Sequence, residues 1–198
     1  GFRYGNVELA DGIIKDGLFC SFGNVLMGEG TDRDTGTTIS RDEQDQFAVT
    51  SNVRAAAAQV KGLFDDEMIP VAIPQRKGDP VIFKVDEGVR GNTTMESLGS
   101  LKPAFVKDGT ITAGNASQIS DGGSAVIVMS KAAADKHGVT PLGEIVSYGM
   151  VAGPGDTSLL HQPSNAINKA LAKIGGKVSD IDLFELNEAF AAVGIASM

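Results

Sequence analysis

The residues best suited to chemistry sit in two short stretches. Asn187 follows the apolar run Leu183-Phe184-Glu185-Leu186 and precedes a helical pattern, so it falls at the carboxyl end of an expected strand. Reactive groups of open α/β sheets lie at such ends. A carboxamide there can hold a water or donate to an oxyanion; it can equally be a plain helix N-cap. The second stretch, Ala113-Gly114-Asn115-Ala116-Ser117, has almost no side-chain bulk. A ligand can approach its backbone closely and meet the Ser117 hydroxyl, although an ordinary small-residue turn reads the same way. The remaining candidates are weaker. Cys20 lies among Leu18, Phe19 and Phe22, which points to a buried, inert thiol. His137 and His161 have no second residue at metal-ligand spacing, and Asp65-Asp66-Glu67 reads as a solvated loop, so no metal site is expected. Gly122-Gly123 is no phosphate loop, for neither GxxxxGK[ST] nor GxGxxG occurs.

The elements that must position these groups can be traced along the chain. Ser40 and Glu43 form a capping box that opens a helix, with Phe47, Ala48, Ser51, Ala55 and Ala58 on one face and Gly62 as its stop. Before it, Gly28 to Gly36 reads as exposed loop. After it, runs 68–73 and 81–85 predict a hairpin or a pair of edge strands. Thr93 with Glu96 predicts a second capping box, for a short helix to about Ser100. Thr110 to Thr112 is expected as a short strand. From Ser124 onward strand and helix alternate: apolar runs at 124–129, 142–151 and 181–186, and helices near 131–137, 163–174 and after Asn187. Alternation of this kind means an α/β fold with a mostly parallel sheet, and three strands leave it incomplete.

Composition narrows the function classes. The 198 residues carry 17 Lys+Arg against 25 Asp+Glu, a net charge of −8, which argues against a nucleic-acid or anionic-membrane binder. One Cys excludes a disulfide framework and a Cys-rich zinc site. Hydrophobic residues at 42% suffice for a core. No apolar run nears the roughly 18 residues of a membrane helix, and Gly1-Phe2-Arg3-Tyr4-Gly5 shows no signal-peptide pattern. A soluble, cytoplasmic protein is expected.

Asn187-Glu188-Ala189-Phe190 resembles the NEAF signature of the thiolases, and Thr112-Ala113-Gly114-Asn115-Ala116-Ser117 resembles their TAGNAS loop. Ile39-Ser40-Arg41-Asp42-Glu43-Gln44-Asp45, Leu101-Lys102-Pro103-Ala104-Phe105 and Asp16-Gly17-Leu18 match the family in its order. Gln75-Arg76-Lys77-Gly78-Asp79-Pro80 and Val151-Ala152-Gly153-Pro154 are most similar to bacterial, actinobacterial members that are acetyl-CoA acetyltransferases. The resemblance implies a layered thiolase-like α/β fold of two similar halves with an inserted loop domain. On that template residues 1–118 are coenzyme A-binding loop domain, 119–140 the last segment of the N-terminal half, and 141–198 the first part of the C-terminal half. Thiolases also use a nucleophilic cysteine before the position of Gly1, and GHP and CxG motifs after that of Met198. None of the three is in this sequence, and Cys20 does not align with the nucleophile.

The resemblance implies that Asn187 positions the oxyanion-hole water and that Ser117 bonds the pantetheine arm of coenzyme A. It places Arg90, Ser97, Leu101, Ala104, Phe105 and Ala113 along the nucleotide and pantetheine path, Met27, Ile119, Ala189 and Phe190 near the acyl end, and Leu18 in the binding set. Implied too are condensation of two acetyl-CoA to acetoacetyl-CoA or the reverse thiolysis, coenzyme A as substrate and product with no tightly bound cofactor, and a homodimer or homotetramer. A degradative 3-ketoacyl-CoA thiolase and a non-catalytic acyl-CoA-binding fragment are the alternatives. Three departures bear on specificity. Leu26 replaces a common His, Glu29-Gly30-Thr31-Asp32-Arg33 replaces a TAEN-like stretch, and Gln118 replaces a common Gly.

Overall fold

The computed structural model describes residues 3–35, 38–153 and 158–198. Gly1 and Phe2 of the chain start, Gly36 of the 28–36 stretch and Pro154 of Val151-Ala152-Gly153-Pro154 lie outside the described residues. After a π-helical segment, Ile13–Leu18, come the short antiparallel pair β1 (Phe19–Cys20) and β2 (Val25–Leu26). Helices α1 (Met27–Thr35) and α2 (Arg41–Val60) follow, then the hairpin β3 (Val71–Ile73) and β4 (Val81–Phe83), and α3 (Met95–Gly99). The remainder holds α4 (Lys131–His137), α5 (Gln162–Ile174), a 3-10 turn Val178–Asp180 and α6 (Ala191–Ser197).

Helix α2 is the spine. Its start is the expected capping box, and Gly62 ends it with a left-handed φ of 68°. Helices α3 and α6 pack on it. The crossing with α6 is close because Gly194 lacks a side chain: a Cβ there would lie 2.7 Å from Phe47 Cζ. Below that crossing Ile39, Leu160 and Ala192 form the apolar core, with Ile195 and Ala196 against it. Gly138 and Gly175 stop α4 and α5 in the left-handed conformation, where a glycine has no Cβ penalty. The hairpin also forms as read, with Val71 opposite Phe83 and Ile73 opposite Val81.

Four readings are corrected. The stretch from Gly28 is helix, not exposed loop: α1 buries Gly28, Gly30, Thr31, Asp32 and Thr35. Two buried hydroxyls donate to carbonyls one turn back, Thr31 to Met27 (2.9 Å) and Thr35 to Thr31 (2.8 Å), and Glu29 pairs with Arg33 across a turn. Gly28 lets the Phe105 ring lie where a Cβ would stand. Second, the short helix α3 is capped by Thr94 with Ser97 rather than by Thr93 with Glu96. The Thr93 hydroxyl donates instead to the Arg90 carbonyl (2.7 Å). Third, Cys20 is half-buried, its sulfur accepting from Gly23 N–H at 3.4 Å, rather than buried.

The fourth correction concerns the strands. Segments 124–129, 142–151 and 181–186 form no strand and join no ladder among the described residues, and Thr110 to Thr112 makes only one bridge, Thr112 with Pro103. A strand exists through its neighbours' hydrogen bonds, and these segments have no neighbour strand within the described residues. Val126 and Ile127 are accordingly 86% and 88% exposed. One of the three has its covering helix. Ser147 Oγ donates to Ala170 O (2.7 Å), Lys169 Nζ to Met150 O (2.7 Å), and Lys173 Nζ lies 3.5 Å from the Tyr148 ring centroid. The segment and α5 thus lie against each other, as a strand and its helix do in an α/β layer pair.

Candidate functional site

The site is built on the first half of α2. Ser40 Oγ accepts from Glu43 N–H (3.2 Å), and Glu43 Oε2 accepts from Ser40 N–H (2.8 Å) and Oγ (2.6 Å). These bonds hold the Glu43 carboxyl below the usual glutamate range, the Ser40 hydroxyl contributing most and its backbone N–H next. A carboxyl depressed in the folded state stabilises fully above its unfolded pKa and loses that contribution as pH falls through the folded value. Thermal melts on acidification below the ordinary glutamate range are therefore expected to show a loss of stability that the Glu43→Gln variant lacks.

From that start α2 sends Phe47, Ala48, Ser51 and Asn52 toward a cleft of about 650 Å³. Asn52 Oδ1 accepts from Arg90 N–H (3.0 Å), which fixes the 88–93 loop as one wall. Ser51 Oγ donates to Glu188 Oε2 (2.7 Å), which fixes the opposite wall. The Arg90 side chain is exposed at the rim, and among the described residues no carboxylate pairs with it. Helix α3 supplies Ser97 and Leu98, and Leu101 follows. The Ser97 hydroxyl is engaged in the α3 cap, donating to Thr94 O at 2.8 Å.

The floor joins the two stretches first singled out. Ser117 N–H donates to Ala189 O (2.9 Å), Ala191 N–H to Asn115 O (2.8 Å), and Ala116 forms an antiparallel bridge with Phe190. Residues 113–118 and 187–188 therefore line one cleft. Asn187 is not the N-cap of α6. That position belongs to Phe190, whose φ and ψ of −140° and 147° are extended, and Asn187 O instead accepts from Ala189 N–H (2.9 Å). Its side chain stays exposed at the cleft.

A buried polar net holds this floor. Asn115 is 4% exposed. Its Oδ1 accepts from Thr112 N–H (2.8 Å), while its Nδ2 donates to Asp45 Oδ1 (2.9 Å) and Thr110 O (3.1 Å). Asp45 Oδ2 accepts from Arg41 Nε (2.7 Å), and the same guanidinium donates to Leu98 O (2.6 Å) and Leu101 O (3.2 Å). Nearby, Asp32 Oδ1 accepts from Thr110 N–H (2.8 Å) and Ile111 N–H (3.1 Å). Sequence reading passed over Asp45, Asn115 and Asp32 as site-builders. The signal available was partial: Asn115 is an amide inside an otherwise small, apolar stretch, whereas Asp32 and Asp45 stand among other charged residues.

Six of the singled-out residues line the cleft: Arg90, Ser97, Leu101, Ala113, Ser117 and Asn187. Gln118 lines it too, its amide lying over Gly88. The others lie elsewhere. Phe105 and Phe190 meet edge to face at 5.8 Å, and Phe105 also covers Gly28, next to Met27. Ala104 N–H donates to Ile111 O (2.8 Å), and Ala189 contributes backbone to the floor. Leu18 and Ile119 are exposed and outside the cleft lining, Ile119 at 73%. Gly114 lets two leucines pack on the loop: a Cβ there would lie 2.5 Å from Leu98 Cδ2 and 2.7 Å from Leu101 Cδ1. Overpacking of this kind costs about 1–3 kcal/mol, so Gly114→Ala is expected to lower the urea midpoint by that equivalent with an unchanged slope.

Comparison with known proteins places this arrangement. The family "Thiolase, N-terminal domain" matches residues 1–132, and "Thiolase, C-terminal domain" matches residues 139–198. The chain is 54% identical to the "Probable acetyl-CoA acetyltransferase" of Mycolicibacterium smegmatis, over 100% of this chain and 51% of that protein. It is 52% identical to the protein of the same name from Mycobacterium tuberculosis, over 100% and 50%. The chain thus spans about half the length of the curated relatives it matches. Among solved structures, the Bacillus anthracis acetyl-CoA acetyltransferase superposes with a TM-score of 0.85 at 38% identity, over 100% of this chain and 50% of that one. Human mitochondrial 3-ketoacyl-CoA thiolase gives 0.85 and 38%, over 100% and 49%. With both of its halves matched by the two thiolase domains and its fold that of half a thiolase, this chain belongs to the thiolase family.

Proposed function

We propose that this chain is the coenzyme A-binding segment of a thiolase that condenses two acetyl-CoA to acetoacetyl-CoA or runs the reverse thiolysis. The observation that carries this reading is the backbone pairing of 115–117 with 189–191, which puts the Ser117 and Asn187 side chains on one cleft with Arg90 at its rim. In this reading Arg90 meets the phosphates of the nucleotide end, and Leu101 and Ala113 flank the pantetheine. Ser117 bonds a pantetheine amide, and Asn187 donates to the water that stabilises the thioester enolate. A donor fixed where negative charge develops lowers the barrier without reorganising during the reaction. Ser97, Ala104 and Phe105 line the nucleotide and pantetheine path as well, Met27, Ile119, Ala189 and Phe190 belong to the acyl end, and Leu18 belongs to the binding set. Residues 1–118 act as loop domain, 119–140 as the end of the N-terminal half and 141–198 as the start of the C-terminal half. The enzyme works in the cytoplasm as a homodimer or homotetramer, in fatty-acid metabolism.

Titration of coenzyme A into the 198-residue chain tests the binding part: saturable binding without turnover is expected, and no heat or shift at any concentration overturns it. The intact mass of the natural protein tests the rest. A mass near 20.5 kDa leaves a coenzyme A-holding segment without thiolase chemistry, whereas a mass near twice that leaves room for the nucleophile and acid–base residues. A second reading, thiolysis of longer 3-ketoacyl-CoA, draws on the superposition on the human 3-ketoacyl-CoA thiolase, which equals that on the acetyl-CoA acetyltransferase. The ratio of rates on acetoacetyl-CoA and a long-chain 3-ketoacyl-CoA separates the two.

A further inference from the structure

The geometry points to Asp45 as the positioning residue of the cleft, a single carboxylate that sets the relative placement of the Ser117 and Asn187 segments and of the Leu98–Leu101 wall. Asp45 does not line the cleft and touches no ligand position, yet both of its oxygens are committed and its side chain is 1% exposed. Through Oδ1 it holds the Asn115 amide. Asn115 in turn closes its own loop on Thr112 N–H and presents the carbonyl that receives Ala191 N–H. Turning Asn115 would therefore move Ser117 and, through Ala191 and Ala189, the backbone that carries Asn187. Through Oδ2 Asp45 orients Arg41, whose other nitrogen grips Leu98 O and Leu101 O. One side chain on α2 thus sets three separate backbones. The Arg41–Asp45 pair is i,i+4 along the helix, while the Asn115 bond spans 70 residues, so the carboxylate relays the rigidity of α2 to a distant loop.

An acceptor is required on both sides. Asparagine at 45 keeps one oxygen, so it can satisfy either Arg41 or Asn115 and turns an N–H donor toward the other. Donor against donor in a buried place separates the two groups. The exchanged pair, asparagine at 45 with aspartate at 115, restores one complementary bond. The asparagine then turns its oxygen to Arg41 and its amide to the new carboxylate, while Thr110 O loses its donor and faces a carboxylate oxygen instead.

This assignment rests on the coenzyme A reading for its consequence, but its test does not. Amide hydrogen exchange is measured on the wild-type chain, Asp45→Asn, and the double variant Asp45→Asn with Asn115→Asp, with no ligand present. Faster exchange in Asp45→Asn at 112–117 and 187–191, with β3–β4, α4 and α5 unchanged, is the expected result. A uniform rise across all elements, or no change at the floor, overturns the assignment. Should Asp45→Asn fail to fold, recovery of fold and floor protection in the double variant supports it, and no recovery overturns it. Coenzyme A affinity read in parallel is expected to fall roughly tenfold in Asp45→Asn and to return in part in the double variant. If the wild-type chain binds no coenzyme A, the functional reading fails while the exchange result still decides the role of Asp45.

Discussion

Replacing Asn187 by alanine in a complete thiolase carrying this segment is expected to slow acetyl-CoA condensation by about a hundred- to a thousandfold and to leave coenzyme A affinity within a factor of about three. The asymmetry follows from where the side chain sits. Asn187 is exposed to the cleft, caps no helix, and is anchored by backbone alone, its carbonyl receiving Ala189 N–H. Truncation therefore leaves the floor pairing of Ser117 with Ala189 and of Asn115 with Ala191 untouched. The group removed is a donor, and a donor aimed at developing charge contributes in the transition state rather than in ground-state binding. Steady-state kinetics with a separate titration of coenzyme A checks both halves. An unchanged turnover would remove Asn187 from the chemistry, and a parallel loss of affinity would make it a binding residue instead.

The largest stability effect is expected at Asp32. Asp32→Ala should destabilise the chain by about 3–5 kcal/mol, since it strands two backbone donors, the half-buried N–H of Thr110 and the buried N–H of Ile111, at about 1–3 kcal/mol each, and opens a small void besides. Asp32→Asn should cost far less. Its remaining oxygen keeps both acceptor bonds, and the second carboxylate oxygen of Asp32 is already buried without a hydrogen-bond partner beside Gly109. Urea unfolding followed by circular dichroism measures the two midpoints, with the slope checking that the unfolded state has not changed. Equal losses would mean that the turn at 109–111 is held by something other than that acceptor.

These two residues mark what a reader of the sequence can and cannot see. Ser40 with Glu43, and the glycines after α2, α4 and α5, are local devices whose chemistry is complete within a turn, so spacing alone reveals them. The hairpin of Val71–Ile73 with Val81–Phe83 is legible for the same reason. Asp32 was hidden inside a run of glycines and charges that reads as loop, because what makes α1 a buried helix is Phe105 over Gly28 and the turn at Thr110, both remote in sequence. Asn187 was legible as a site candidate, and it lines the cleft, but not as a residue that leaves the cap of α6 to another. The choice between Asn187 and Phe190 as the start of α6 depends on Phe190 bridging Ala116. Segments 124–129 and 181–186 show the reverse failure: their apolar texture is that of strands, yet texture cannot supply the neighbour that makes a ladder.

The pairing of Asn115 with Ala191 also sets a clock on synthesis. Helix α2 can form within microseconds of leaving the ribosome, whereas the floor cannot close until Ala191 has been translated. At about 5–20 residues per second the interval between these two residues lasts several seconds. Throughout that interval the Asn115 carbonyl lacks the Ala191 N–H that it accepts in the finished floor. Closing so long a loop carries an entropy that only the finished floor offsets. The floor of the cleft therefore matures late, and a translational pause between the two motifs would prolong the time for which it stays open.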